Sequence, residues 1–152
     1  MATYNKFDVF VQDFADKLHD VFGPGASADD LKIYLSNQTP TGTQHTVKSQ
    51  VASSSGLTEI TVASGYNGAI DLSTSGNRTG GTSYCYTPSG SVTVSATGTV
   101  GPFRYVVLFN DTQTAPPDPL IAWWDYAAPI TLASGESFTV TFATSGVLFS
   151  LT

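Results

Sequence analysis

The sequence predicts a mainly β protein, an antiparallel β-sandwich of jelly-roll type with one N-terminal amphipathic α-helix. Three observations predict it. Ser and Thr make a quarter of the 152 residues, and Gly (14) and Pro (8) punctuate the chain, a composition suited to short strands and turns. Charged residues are only 12% against 41% hydrophobic, so the surface is polar through hydroxyls, and the apolar share is too high for disorder. The apolar period changes from 3.6 to 2 near residue 31 and stays there. The length fits one domain, 1–152.

The helix comes first. Phe7, Phe10, Val11, Phe14, Leu18, Val21 and Phe22 recur at spacings of three and four, with Asp8, Gln12, Asp13, Asp16, Lys17, His19 and Asp20 on the other face. Asn5 as N-cap and Gly23-Pro24-Gly25 as stop place the helix at about 5–22. Its apolar stripe needs a partner, either the chain's own sheet or another subunit.

Strands follow. Leu31–Leu35 alternates, and residues 43–56 read as a long polar surface loop. Leu57–Val62 is the next strand, and Tyr66-Asn67-Gly68 a turn. Residues 73–81 are a second loop, with short strands at Thr82–Tyr86 and Ser91–Ala96. Phe103–Phe109 is apolar at both parities apart from Arg104, which predicts a central strand covered on both faces. Leu120–Tyr126 and Ile130–Leu132 precede a turn at Ser134-Gly135. Phe138–Phe142 and Gly146–Leu151 close the chain.

Composition excludes several function classes. A net charge of −6 with six cationic side chains argues against nucleic-acid binding, which rests on phosphate neutralisation, and against electrostatic attachment to anionic membranes. No apolar run is long enough to span a membrane. The single Cys85 rules out an intrachain disulfide and a Cys-rich zinc site. Nothing at Met1–Asp8 reads as a secretory signal, and the expected folding compartment is a reducing cytoplasm.

Candidate chemistry is sparse. The histidines, His19 and His45, fall on the polar helix face and in a polar loop, and no Gly-x-Ser-x-Gly elbow accompanies them. The two glutamates, Glu59 and Glu136, lie in strand contexts. Asp111, Asp118 and Asp125 are spaced by seven beside loops, where turn capping outweighs a Ca²⁺ site. We therefore expect no enzyme, no cofactor and no metal. Cys85, between Tyr84 and Tyr86, reads as a core strand residue. Trp123-Trp124 is the most conspicuous pair. On a strand the two rings point to opposite faces, leaving three uses open: core, subunit interface, or a platform for a sugar.

Several stretches together resemble a family of tailed-bacteriophage virion proteins. They are Met1-Ala2-Thr3-Tyr4-Asn5-Lys6-Phe7 with the following helix, Leu31–Pro40, Gly101–Asp111, Pro119–Tyr126 and Ile130–Val140. The blocks cover both the N-terminal part and the C-terminal third, while residues 40–100 match in composition only. The resemblance implies a virion structural protein, here assigned as a capsid cement or decoration protein whose partner is the major capsid protein. A tail or head-fibre component is the alternative within that class, and a carbohydrate-binding module using Trp123 and Trp124 the alternative outside it. Many copies on a closed shell favour cyclic symmetry, so self-association as a homotrimer is expected. The expected interface residues are Phe103, Arg104, Tyr105, Trp123, Trp124 and Tyr126, with the loops 37–56 and 73–81.

Overall fold

A central five-stranded antiparallel sheet with a hydrophobic core on each of its faces organises the molecule. The structure is a computed structural model and describes residues 2–20, 29–48, 56–72, 74–77, 84–88, 91–142 and 150–151. The described elements run in the order β1 (Thr3–Lys6), α1 (Val9–Ala15), β2 (Leu31–Ser36), β3 (Val47–Lys48), β4 (Gly56–Leu57), β5 (Ile70–Asp71), β6 (Thr74–Asn77), β7 (Tyr84–Pro88), β8 (Ser91–Ser95), β9 (Val100–Asn110), β10 (Leu120–Leu132), β11 (Ser137–Thr141) and β12 (Ser150–Leu151). The main sheet has the order β1-β10-β9-β2-β5. The fold is mainly β, as the sequence predicts.

β9 occupies the middle of that sheet. Val106 and Leu108 enter one core, Tyr105, Val107 and Phe109 the other, because alternate side chains of a strand leave on opposite faces. β8 and β11, paired antiparallel from Ser137↔Ser95 to Thr141↔Ser91, form the second layer over the first core. They contribute Val92, Val94, Phe138 and Val140 against Phe103, Val106, Ile33, Leu35 and Ile121. The second core, around Phe7, Tyr34, Leu57, Tyr105, Val107, Phe109 and Leu120, is covered by the segment leading into β3 and by β4.

The sequence reads part of this cover as a surface loop. Within 43–48, His45 and Val47 are buried, at 6% and 4% exposure. Backbone bonds tie the segment down: Leu120 N–H donates to the Thr46 carbonyl at 2.9 Å, and Lys48 N–H to that of Asp118 at 2.9 Å. A polar sequence can be buried when its polar groups are satisfied.

The N-terminus corrects the sequence expectation. Residues 3–6 form an edge strand on β10, from Thr3↔Asp125 to Lys6↔Ala122, and Asp8 rather than Asn5 holds the N-cap position. α1 is only seven residues long, and Val21 and Phe22 lie outside the described residues. Phe10 and Phe14 pack into the first core, so the helix docks on its own sheet. Val11, assigned to the stripe, is 53% exposed. Phe7 turns to the second core instead.

Other boundaries shift less. Of the predicted strand 57–62 only Leu57 falls in a strand, β4 with Gly56, although Ile60 N–H still donates to the Leu35 carbonyl at 2.9 Å. The tight turn falls at Ser64-Gly65, φ 56° and 94°, closed by Tyr66 N–H to the Ala63 carbonyl at 3.0 Å. Two positive φ values favour glycine at the second position. A Cβ there would lie 2.2 Å from the Ser95 carbonyl oxygen. Cys85 falls in β7, opposite Asn77 and Ser150.

Candidate interaction surface

β9 and β10 position the residues singled out from the sequence. Their register runs regularly from Ala122↔Leu108 to Asp125↔Tyr105, then jumps to Ile130↔Phe103. β10 spends five residues where β9 spends two, so residues 126–129 form a bulge, of which 127–129 are exposed. Ala127, at φ 67° and exposed, is part of that bulge.

Asp125 anchors it. Its two carboxylate oxygens accept from Arg104 Nε at 2.7 Å and Nη2 at 2.8 Å, and Oδ1 also accepts from Ala127 N–H at 2.7 Å. The Arg104 guanidinium, then the Ala127 N–H, hold the Asp125 carboxyl below its ordinary range, and Asp125 in turn raises Arg104. The planar fork fixes both partners as a single charge-neutral unit.

The six expected interface residues divide. Phe103 and Tyr105 are buried, at 0% and 3% exposure, and serve the two cores. Arg104, Trp123, Trp124 and Tyr126 are half-buried. The two indoles leave on opposite faces, as alternation requires. Trp123 stacks tilted on Phe7 at 4.4 Å in the second core. Trp124 meets Tyr4 and Phe142 edge-on at 5.7 and 5.9 Å. Tyr126 meets Phe138 at 5.2 Å, and Phe138 meets Phe103 at 4.9 Å. Of the expected loops, residues 49–55, 73 and 78–81 lie outside the described residues.

The outer face of β8 and β11 carries a surface that sequence reasoning missed. Ser91, Thr93 and Ser95 face out beside Thr141, Thr139 and Ser137, all six exposed. Thr93 and Thr139 hydroxyls bond each other at 2.9 Å, and Ser137 donates to Ser95 at 3.3 Å. The result is an uncharged two-by-three hydroxyl array on a two-stranded ribbon. Its signal was the alternation in Ser-Val-Thr-Val-Ser and Ser-Phe-Thr-Val-Thr, which places every hydroxyl at one parity.

The candidate catalytic groups have structural partners. Glu59 accepts from Tyr66 Oη at 2.5 Å and pairs with Lys48 at 3.0 Å. Glu136 caps a turn by accepting from Ala133 N–H at 2.7 Å. Asp111 binds Lys32 at 2.7 Å while Asp125 holds Arg104, and the described residues contain no cluster of three or more His, Cys, Asp or Glu suited to a metal ion. An open groove of about 500 Å³ runs between Gln38, Glu59, Ile60 and Pro102.

Both histidines are buried, against expectation. His45 accepts from Thr41 N–H at 2.8 Å, and burial lowers its pKa. His19 lies 3.9 Å from Asp13, and the two side chains are 0% and 7% exposed, an enclosed pair. Neither a family model, nor a curated protein, nor a solved structure matches this chain.

Proposed function

We propose that this chain is a bacteriophage virion structural protein that acts as a capsid cement, binding the major capsid protein and stabilising the shell, as a homotrimer. The sequence blocks described above carry the virion assignment. The observation that supports a cement role is the uncharged hydroxyl array on β8 and β11. Ser and Thr have few rotamers to lose on contact, so a rigid ribbon of them binds at low entropic cost. The excess negative charge keeps free copies apart before assembly. A cement needs shape and adhesion rather than a reacting group. The carbohydrate-binding reading has less support, since both Trp rings are packed against neighbouring aromatics.

The test is cryo-electron microscopy of the assembled particle, with binding of the purified chain to undecorated shells. Density for the chain at trimeric positions on the shell, and loss of shell binding on Thr93→Lys with the fold retained, are the expected results. Absence of the chain from the shell overturns the cement role. Its presence in tail or fibre density reassigns it within the virion.

A further inference from the structure

Four side chains from distant parts of the sequence meet where α1 ends. Asp13, His19, Asp29 and Asn110 are all buried, at 5%, 6%, 6% and 0% exposure. The Asn110 amide donates to Asp29 Oδ2 at 2.6 Å and to His19 Nδ1 at 3.0 Å. Its carbonyl oxygen accepts from Thr112 N–H at 3.0 Å. Asp29 Oδ2 also accepts from Asp20 N–H at 2.7 Å, and Asp29 N–H donates to the Asp20 carbonyl at 2.9 Å. The Asn110 amide nitrogen also lies 3.4 Å from the Leu18 carbonyl oxygen, a third and longer contact for its two protons. With the amide donating to Nδ1, a neutral His19 carries its proton on Nε2. Nε2 faces Asp13 Oδ2 at 3.9 Å, and neither atom has a hydrogen-bond partner among the described residues.

The amide orientation makes this arrangement hostile to a second proton. Protonating Nδ1 sets N–H against the Asn110 amide N–H. Turning the amide would restore that contact, but it would break the Thr112 bond and point a carbonyl oxygen at Asp29. We propose that Asp13, His19, Asp29 and Asn110 form an acid-sensitive latch, in which protonation of His19 releases α1 and the turn after it from the end of β9. The titratable groups around the ring are Asp13 and Asp16 at the helix, the exposed Lys17 and Asp20 beyond it, Asp29 and Asp30 before β2, and Asp111 after Asn110, which Lys32 neutralises. Burial lowers His19 to about 4, partly offset by Asp29. Burial and Asp16 raise Asp13, which acts in the opposite sense. The latch depends on the orientation of one amide and is independent of the cement reading.

The sign follows from linkage. A released His19 takes up its proton at the ordinary value near 6.5, a latched one only near 4, so opening is promoted between those limits as pH falls. His19 alone increases opening about 50-fold from pH 7 to 4.5, less whatever protonation of Asp13 restores. Hydrogen exchange on the intact chain tests this. Protection of amides 10–18 should fall at least about tenfold, while Val106–Leu108 in β9 stays protected. His19→Gln keeps an acceptor for Asn110 and should abolish the fall. Asn110→Asp turns the opposing donor into an acceptor and should raise the His19 titration, followed by NMR. An equal fall in His19→Gln, or a wild-type His19 that titrates near 6.5 with α1 still protected, overturns the latch.

Discussion

Phe7 and Phe10 stand three residues apart in the chain and on opposite faces of the same sheet. Phe7 is fully buried in the second core against Trp123, and Phe10, 3% exposed, is buried in the first. Between them the chain crosses the β10 edge, where Phe7 N–H donates to the Ile121 carbonyl at 3.1 Å and Asp8 N–H to that of Gly42 at 3.2 Å. The N-terminal segment is thus a hook over the sheet, fixed on both sides. Phe7→Ala and Phe10→Ala should each cost about 3–5 kcal/mol in chemical denaturation. Their separate cores predict that the double variant loses the sum to within about 0.5 kcal/mol. A strongly sub-additive loss would show that the two anchors release together.

Two glycines with similar backbones separate strain from collision. Gly65 and Gly135 have φ 94° and 89°. A Cβ at Gly65 would lie 2.2 Å from the Ser95 carbonyl oxygen, whereas one at Gly135 meets nothing within 4 Å. Gly135→Ala should cost only the conformational penalty, about 1 kcal/mol. Gly65→Ala should cost clearly more and disturb the Thr97 N–H to Ser64 carbonyl bond that joins this turn to β8's end. Urea unfolding of the pair of variants reads the difference directly, and equal losses would contradict the clash.

Which parts of this fold were legible follows from range. β9 could be read from sequence because both parities of Phe103–Phe109 are apolar, a signal that needs no partner to be visible. The opposite faces of Trp123 and Trp124 followed from alternation alone. Residues 3–6 were not legible as a strand, because an edge strand of Thr, Tyr, Asn and Lys is specified by its pairing with β10 rather than by its own pattern. Phe7 matched helical spacing to Phe10 and misled for the same reason. The burial of Asp13 and His19 was invisible too. Polar residues at helical positions read as a solvent face, and the group that satisfies His19 arrives from Asn110, 91 residues away. The hydroxyl array was present in the sequence as parity, but only the exposed β8–β11 ribbon shows that it faces outward.

The Arg104–Asp125 fork should stabilise the bulge of β10 more than its modest burial suggests, because Asp125 also holds Ala127 N–H. Asp125 has a lowered pKa in the fold. Its contribution is therefore complete above the unfolded value near 3.8 and is lost as pH falls through the lower folded value. Asp125→Asn should lower Tm at pH 7 and lose its effect in strong acid. Arg104→Lys should not restore stability, since an ammonium cannot fill both oxygens of the fork. Thermal unfolding of the two variants across pH checks this, and full recovery with Lys would reduce the fork to simple charge.

Two buried tyrosines set the alkaline limit. Tyr34 Oη donates to the Leu57 carbonyl at 2.8 Å, and Tyr66 Oη donates to Glu59 Oε1 at 2.5 Å while accepting from Leu35 N–H at 3.1 Å. Burial raises both phenols above the usual value of 10, and the hydrogen bond to Glu59 raises Tyr66 further. The fold thus keeps protons that the unfolded chain gives up. Their stabilisation is complete below pH 10 and disappears as pH rises past it towards the folded values. Ultraviolet titration should show these two phenols ionising only with unfolding, after the half-exposed Tyr4 has begun to titrate. Tyr66→Phe leaves Leu35 N–H and Glu59 without their buried partner and should cost about 1–3 kcal/mol at pH 7. It should also shrink the alkaline loss of stability, because a proton that the fold retains is gone. A variant that unfolds over the same alkaline range as the wild type would show that Tyr66 does not set that limit.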